Sequence, residues 1–151
     1  WDRYRNVIGI FIRKTLNGIP ILVYGDGEQT RAFSDIQYYM EPFDLLHDNF
    51  DGEIFNIGAD KFFTLNQVAE TVQKIGKKYG YDVPIEHAEG RHEVKHAYCN
   101  HDKAKTMLGF RDNTKLEELI EDMFVWAMNQ PNRKVKDFEY EITDGIYDYW
   151  K

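Results

Sequence analysis

Apolar residues recur three and four positions apart in four stretches of the chain. In "NVIGIFIRKTLNG", Val7, Ile8, Phe11, Ile12 and Leu16 share one helical stripe that stops at Gly18, which predicts an opening helix. "PILVY" follows Pro20 as a short β-branched run and ends in the turn signal "GDG" at Gly25 to Gly27, so a strand and a turn are expected. Ile36, Tyr39, Met40, Phe43 and Leu46 are spaced for a helix that Pro42 should bend or divide. "EIFNIG" has the look of a short strand, after which Thr64 is placed to cap a helix carrying Leu65, Val68, Ala69, Val72 and Ile75 inward. Beyond Pro84 the period is lost and strand with loop is expected, then a short helix ending at Gly109. The clearest helix is "KLEELIEDMFVWAMNQP", with Leu116, Leu119, Ile120, Met123, Phe124 and Ala127 inward and Pro131 past its end. Strands alternating with capped helices, and no internal repeat, predict a small α/β unit with few strands and packed helices. Residues 1–130 form the expected domain and residues 131–151 a charged, aromatic tail.

Composition narrows the partners. At 151 residues and 42% hydrophobic, the chain carries enough apolar material for one compact core. A net charge of −7 argues against a general nucleic-acid or anionic-membrane binder, so any anion site has to be local. One cysteine, Cys99, cannot form an internal disulfide, and no apolar run approaches the ~20 residues of a membrane span; a cytoplasmic setting is expected. The chain opens at Trp1 without an initiating methionine and is amphipathic at once, which suggests a fragment of a longer protein.

Against that background, local motifs can be weighed. In "YGDGEQTRAF" the glycines permit positive φ, and Arg31 offers a fork of donors that matches phosphate or carboxylate oxygens. Local spacing alone favours a tight turn followed by a solvated arginine over an anion grip. A second loop arginine, Arg91, precedes Glu93, an acceptor suited to sugar hydroxyls; two arginines and an acid would suit a nucleotide diphosphate if they converge in space. "HEVKH" satisfies the H-E-x-x-H zinc pattern through His92, Glu93 and His96, with His101, Glu117 or Glu118 as third-ligand candidates. The pattern works on a helix, and the polar, glycine-containing "EHAEGR" before it argues for a loop and a solvated surface instead. Tyr147 and Lys151 have Tyr-x-x-x-Lys spacing, yet no G-x-x-G-x-x-G or G-x-G-x-x-G occurs in the chain to hold a dinucleotide beside them. Aromatic packing of the tail is the simpler expectation. Cys99, lacking a partner base that can be placed, reads as a buried structural cysteine.

The order of segments is more informative than any one motif. "YRNVIGIFIRKTLNGIPILVYGDGEQTRAF", "GEIFNIGADKFFTLNQVAE", "EGRHEVKHAYCNHDKAKTMLGF" and "LEELIEDMFVWA", in that sequence, resemble the C-terminal, substrate-binding portion of the NAD-dependent epimerase/dehydratase family. These are extended short-chain dehydrogenases of Rossmann type that act on nucleotide sugars. The resemblance reaches to about Gln130, and the group resembled includes UDP-glucose 4-epimerases and UDP-glucuronate decarboxylases.

The resemblance implies binding roles. The family's Q-T-R-x-F arginine, which contacts the diphosphate or ribose, falls on Arg31. Its R-x-G-D arginine and acid, which contact the diphosphate and the ribose, fall on Arg91 and Glu93, here one residue closer together and with Glu for Asp. Val23 and Tyr24 correspond to the strand flanking the nucleobase, and Asn6 to a polar residue entering the substrate helix. "FSDIQYY" departs from the family, where an aromatic or histidine is followed by two aspartates. The family's glycine fingerprint, catalytic Ser/Thr and Tyr-x-x-x-Lys precede this region, so the resemblance implies no catalytic residue and no resident metal in this chain. It implies NAD as cofactor of a full-length parent, homodimeric, with no tight NAD site in this chain alone. The expected ligand is a nucleotide sugar, a UDP-sugar foremost. A zinc-dependent hydrolase using "HEVKH" and a non-catalytic interaction domain are the alternatives.

Overall fold

A computed structural model describes residues 6–47, 49–131 and 144. The start at Trp1, the Tyr147/Lys151 pair and nearly all of the expected tail therefore lie outside the described residues.

Helix α1 (Val7–Leu16) leads into strand β1 (Ile21–Tyr24), and β2 (Thr30–Ala32) follows the glycine turn. A 3-10 turn (Ile36–Tyr39) runs directly into α2 (Met40–His47). Then come β3 (Phe62–Thr64), α3 (Leu65–Lys78), β4 (Ile85–Ala88), β5 (His96–Ala97), α4 (Asp102–Met107) and α5 (Leu116–Met128). Strands β1 and β4 pair in parallel, Tyr24 opposite Ala88, while β2 lies between antiparallel β3 and parallel β5. The result is mixed α/β, with few strands and packed helices.

The main core follows from the helical stripes. Ile8, Phe11 and Ile12 of α1, Leu65, Val68, Val72 and Ile75 of α3, and Ile120 and Phe124 of α5 close over Ile21 and Val23 of β1. Burial of that many apolar side chains, each contributing roughly 1.5–3 kcal/mol, is what holds the three helices against the parallel pair. Thr64 forms a capping box with Gln67, each side chain accepting from the other's backbone N–H. Close helix contact requires Gly76, where a Cβ would come within 2.9 Å of the Tyr81 carbonyl oxygen. A second, smaller cluster gathers Ala104, Leu108 and Phe110 with Tyr38, Leu46, Phe50, Phe55 and Ile57.

Two expectations change and one is met. The "EIFNIG" segment joins no ladder among the described residues; Phe55 and Ile57 still pack on the second cluster, and Ile54 faces solvent. The pattern around Pro42 is divided as expected, into the 3-10 turn Ile36–Tyr39 and α2, with Pro42 in the first turn of α2, where a missing N–H is tolerated. Met40 and Phe43 are exposed rather than inward, as is Met123, one residue off the Leu116, Ile120, Phe124, Ala127 stripe of α5. No described helix is long and apolar enough to cross a membrane.

Candidate functional site

The glycine turn is shaped by its own backbone and by α3. Gly25 and Gly27 have φ of 73° and 74°, values that favour glycine. Asn66, in the first turn of α3, fills the space beside Gly27, where an added Cβ would overlap its Oδ1. The Asn66 Nδ2 donates to the Asp26 carbonyl (2.9 Å) and to Glu28 Oε1 (2.8 Å), so the turn is clamped to the helix.

That clamp sets the direction of the next residues. Gln29 is buried, and its Nε2 donates to the Tyr24 carbonyl (2.9 Å) and to Glu93 Oε1 (3.3 Å). Arg31 then lies on the middle strand β2 beside β5. Its Nη1 donates to the carbonyls of Thr30 (2.8 Å) and Lys95 (3.4 Å), and its Nη2 donates to Glu93 Oε2 at 2.7 Å. The ion pair is neither dry nor fully solvated, with side-chain exposures of 23% for Arg31 and 36% for Glu93. The solvated arginine favoured by local spacing is thus a half-buried one, held from both sides.

The loop after β4 brings in the second arginine. Gly25 and Gly90 approach closely: a Cβ on either would lie 3.6 Å from the other's Cα. Arg91, the next residue, places its guanidinium 3.2 Å from the centroid of the Tyr24 ring, a cation over the negative face of an aromatic. Lys14, near the end of α1, is the neighbouring cation. Burial lowers its pKa, Glu86 opposes that, and the charge of Arg91 lowers it further. The cations of this cluster stand among carboxylates: Glu93 faces Arg31, and Glu86 acts on Lys14.

Of the six candidates, Arg31, Glu93, Arg91 and Tyr24 come together through these contacts. Val23 and Asn6 are placed differently. The Val23 side chain is fully buried in the main core, leaving only its backbone for a ligand. Asn6 is exposed at the N-terminus of α1 with φ of 64° and no capping bond, about 12 Å of helix from Lys14. Gln29 and Lys14 escaped the sequence reading. Nothing in "EQTR" marks a buried glutamine, and Lys14 looks like any lysine on a polar helix face.

The other motifs resolve plainly. "HEVKH" is loop running into β5, so His92 and His96 are not stacked on a helical face. Glu93 is committed to Arg31, and His96 Nδ1 is 2.9 Å from Thr30 Oγ1. Among the described residues no three His, Cys, Asp or Glu side chains are grouped to hold a metal ion. Cys99 is half-buried, and a Cβ at Gly58 would lie 2.5 Å from its Sγ.

The fold is similar to the corresponding part of Rossmann-type, extended short-chain dehydrogenases. The NAD dependent epimerase/dehydratase family matches residues 2–58. A UDP-N-acetyl-alpha-D-glucosaminuronate decarboxylase from Bacillus cytotoxicus is 30% identical over 128 residues, 82% of this chain and 40% of the relative. A UDP-glucose 4-epimerase from Caenorhabditis elegans is 25% identical over 140 residues, 83% of this chain and 39% of that one. The crystal structure of Thermotoga maritima UDP-glucose 4-epimerase with UDP-glucose superimposes with a TM-score of 0.72 at 27% identity, covering 85% of this chain and 42% of that chain. The chain is thus similar to members of the NAD-dependent epimerase/dehydratase family, UDP-glucose 4-epimerase among them, and spans about two fifths of the length of these three relatives.

NAD, the family's cofactor, has no fitting cradle in the glycine turn. That turn runs into strand β2 rather than into a helix N-terminus, and Asn66 fills the space beside Gly27.

Proposed function

We propose that residues 1–130 are the nucleotide-sugar-binding part of an NAD-dependent sugar epimerase or dehydratase, with a UDP-sugar as ligand. Arg31 and Arg91 take the diphosphate, Glu93 accepts from a ribose hydroxyl, and the β1 end at Val23 and Tyr24 lies along the nucleobase. Asn6 is assigned to the sugar end. The observation that carries this reading is the convergence of Arg31 with Glu93, 62 residues away in sequence, and of Arg91 with Tyr24. Arg31 of strand β2, Arg91 of the loop after β4 and Glu93 would supply forks for phosphate oxygens and an acceptor for hydroxyls. The names of the related proteins, which include UDP-glucose 4-epimerase with UDP-glucose bound, support the ligand class. In this reading the chain holds and orients the ligand, and hydride chemistry, which NAD supplies when bound, belongs to residues outside this cluster.

Titration of UDP into the protein and into Arg31→Ala tests it. Loss of a charge-assisted contact of about 1.5–3 kcal/mol predicts roughly ten- to hundredfold weaker binding in the variant. Equal affinities would overturn the assignment.

A further inference from the structure

We propose that Glu93 is a displaceable internal counter-ion: its carboxylate occupies the anion seat of Arg31 until a diphosphate-bearing ligand expels it. The inference rests on the site proposed above and deepens it. The Arg31 fork is already engaged, Nη1 with two backbone carbonyls and Nη2 with Glu93 Oε2 at 2.7 Å, and Gln29 steadies the other carboxylate oxygen at 3.3 Å. Of the guanidinium N–H donors, the Nη2 N–H paired with Glu93 is open to a phosphate oxygen only if Glu93 leaves it.

The energetics favour exchange by some anions and not others. Partly exposed ion pairs are weak, because water screens the attraction and two side chains lose freedom to hold it. Glu93 nonetheless competes from inside the chain, without the loss of translational freedom that a diffusing ligand suffers. A free monocarboxylate offers Arg31 the same charge and suffers that loss, so it does not displace Glu93. A diphosphate brings more charge and, in the site proposed above, also meets Arg91, two residues from Glu93 in the same loop. Once expelled, Glu93 stands next to the bound diphosphate and is free to accept from a ribose hydroxyl. One residue would then set both the charge threshold and the sugar contact.

Inorganic pyrophosphate separates these roles, since it has no ribose. Its affinity is measured by calorimetry for the protein, Glu93→Gln, Arg31→Ala and Glu89→Gln, the last removing an exposed charge four residues away. Glu93→Gln is expected to bind pyrophosphate about two- to fivefold more tightly, a gain that Glu89→Gln does not reproduce, and to gain less for UDP. If Arg31→Ala loses pyrophosphate while Glu93→Gln binds it no better than the unaltered protein, the counter-ion role is wrong and the site stands. An equal gain in Glu89→Gln shows a general charge effect and also overturns the counter-ion role. If Arg31→Ala binds UDP and pyrophosphate as the unaltered protein does, the site is misassigned and the inference falls with it.

Discussion

Gly27 shows how one residue joins backbone conformation to packing. Its φ of 74° alone disfavours a side chain, and an added Cβ would overlap Asn66 Oδ1. Gly80 offers the comparison: φ of 87° but open space around it. Gly80→Ala should therefore lose only the conformational term, about 1 kcal/mol, whereas Gly27→Ala adds displacement of Asn66 and its bonds to Asp26 and Glu28, for about 2–3 kcal/mol. Thermal unfolding of the two variants distinguishes them. Equal shifts in Tm would mean that Asn66 does not clamp the turn. The glycine was legible in the sequence as a turn signal. Its partner was not, because Asn66 lies 39 residues further on and inside a helix, where an asparagine carries no pattern of its own.

Elements with a long period were legible, and elements defined by their neighbours were not. Helices α1, α3 and α5 carry their stripes over 10 to 14 residues, enough turns for the spacing to repeat. Strands β2 and β3 have three residues each, too short for alternation to register, and they exist because each supplies the other's hydrogen bonds. The "EIFNIG" run is apolar enough for a strand and joins no ladder among the described residues, since a strand needs an open edge as well as a propensity. The Arg31–Glu93 ion pair sits on this less legible layer, because the pairing depends on β5 lying beside β2. Thr64 stands where the two layers meet, ending β3 and capping α3. Thr64→Ala should destabilise the protein by about 1 kcal/mol through loss of the cap, while Thr64→Ser, which keeps the hydroxyl, should retain most of the stability. A Thr64→Ser variant as unstable as Thr64→Ala would place the loss in the strand instead of the cap.

Across the whole molecule, the two apolar clusters differ in size, and polar contacts bear more of the smaller one. Among the described residues, fifteen buried residues form the main core against three in the second, so the second has less apolar burial to resist local opening. Asp60 ties its loop to α4. The Asp60 Oδ1 accepts from Lys105 Nζ and from His101 Nε2, the latter at 2.7 Å, and the backbone N–H of Asp60 donates to Asp112 Oδ2 at 3.0 Å. His101 is itself buried, edge-on to Phe110. The Lys105 hydrogen bond holds the Asp60 carboxyl below its usual pKa; desolvation partly opposes this, and the His101 hydrogen bond adds to it. A carboxyl whose pKa is depressed by folding stabilises the native state above its unfolded value, near 3.9, and that contribution is lost as pH falls through the lower native value. Asp60→Asn should consequently lower Tm at pH 6 to 7, with the gap to the unaltered protein narrowing below about pH 4 and closing once Asp60 is protonated in both states. Because Asp60 is 39% exposed, solvent screening keeps the gap to a few degrees at most. Thermal melts of both proteins between pH 3 and 7 check this. A gap that stays constant across the range would show that the amide substitution disturbs packing or backbone geometry, and that the carboxylate charge contributes nothing to holding α4 against the loop.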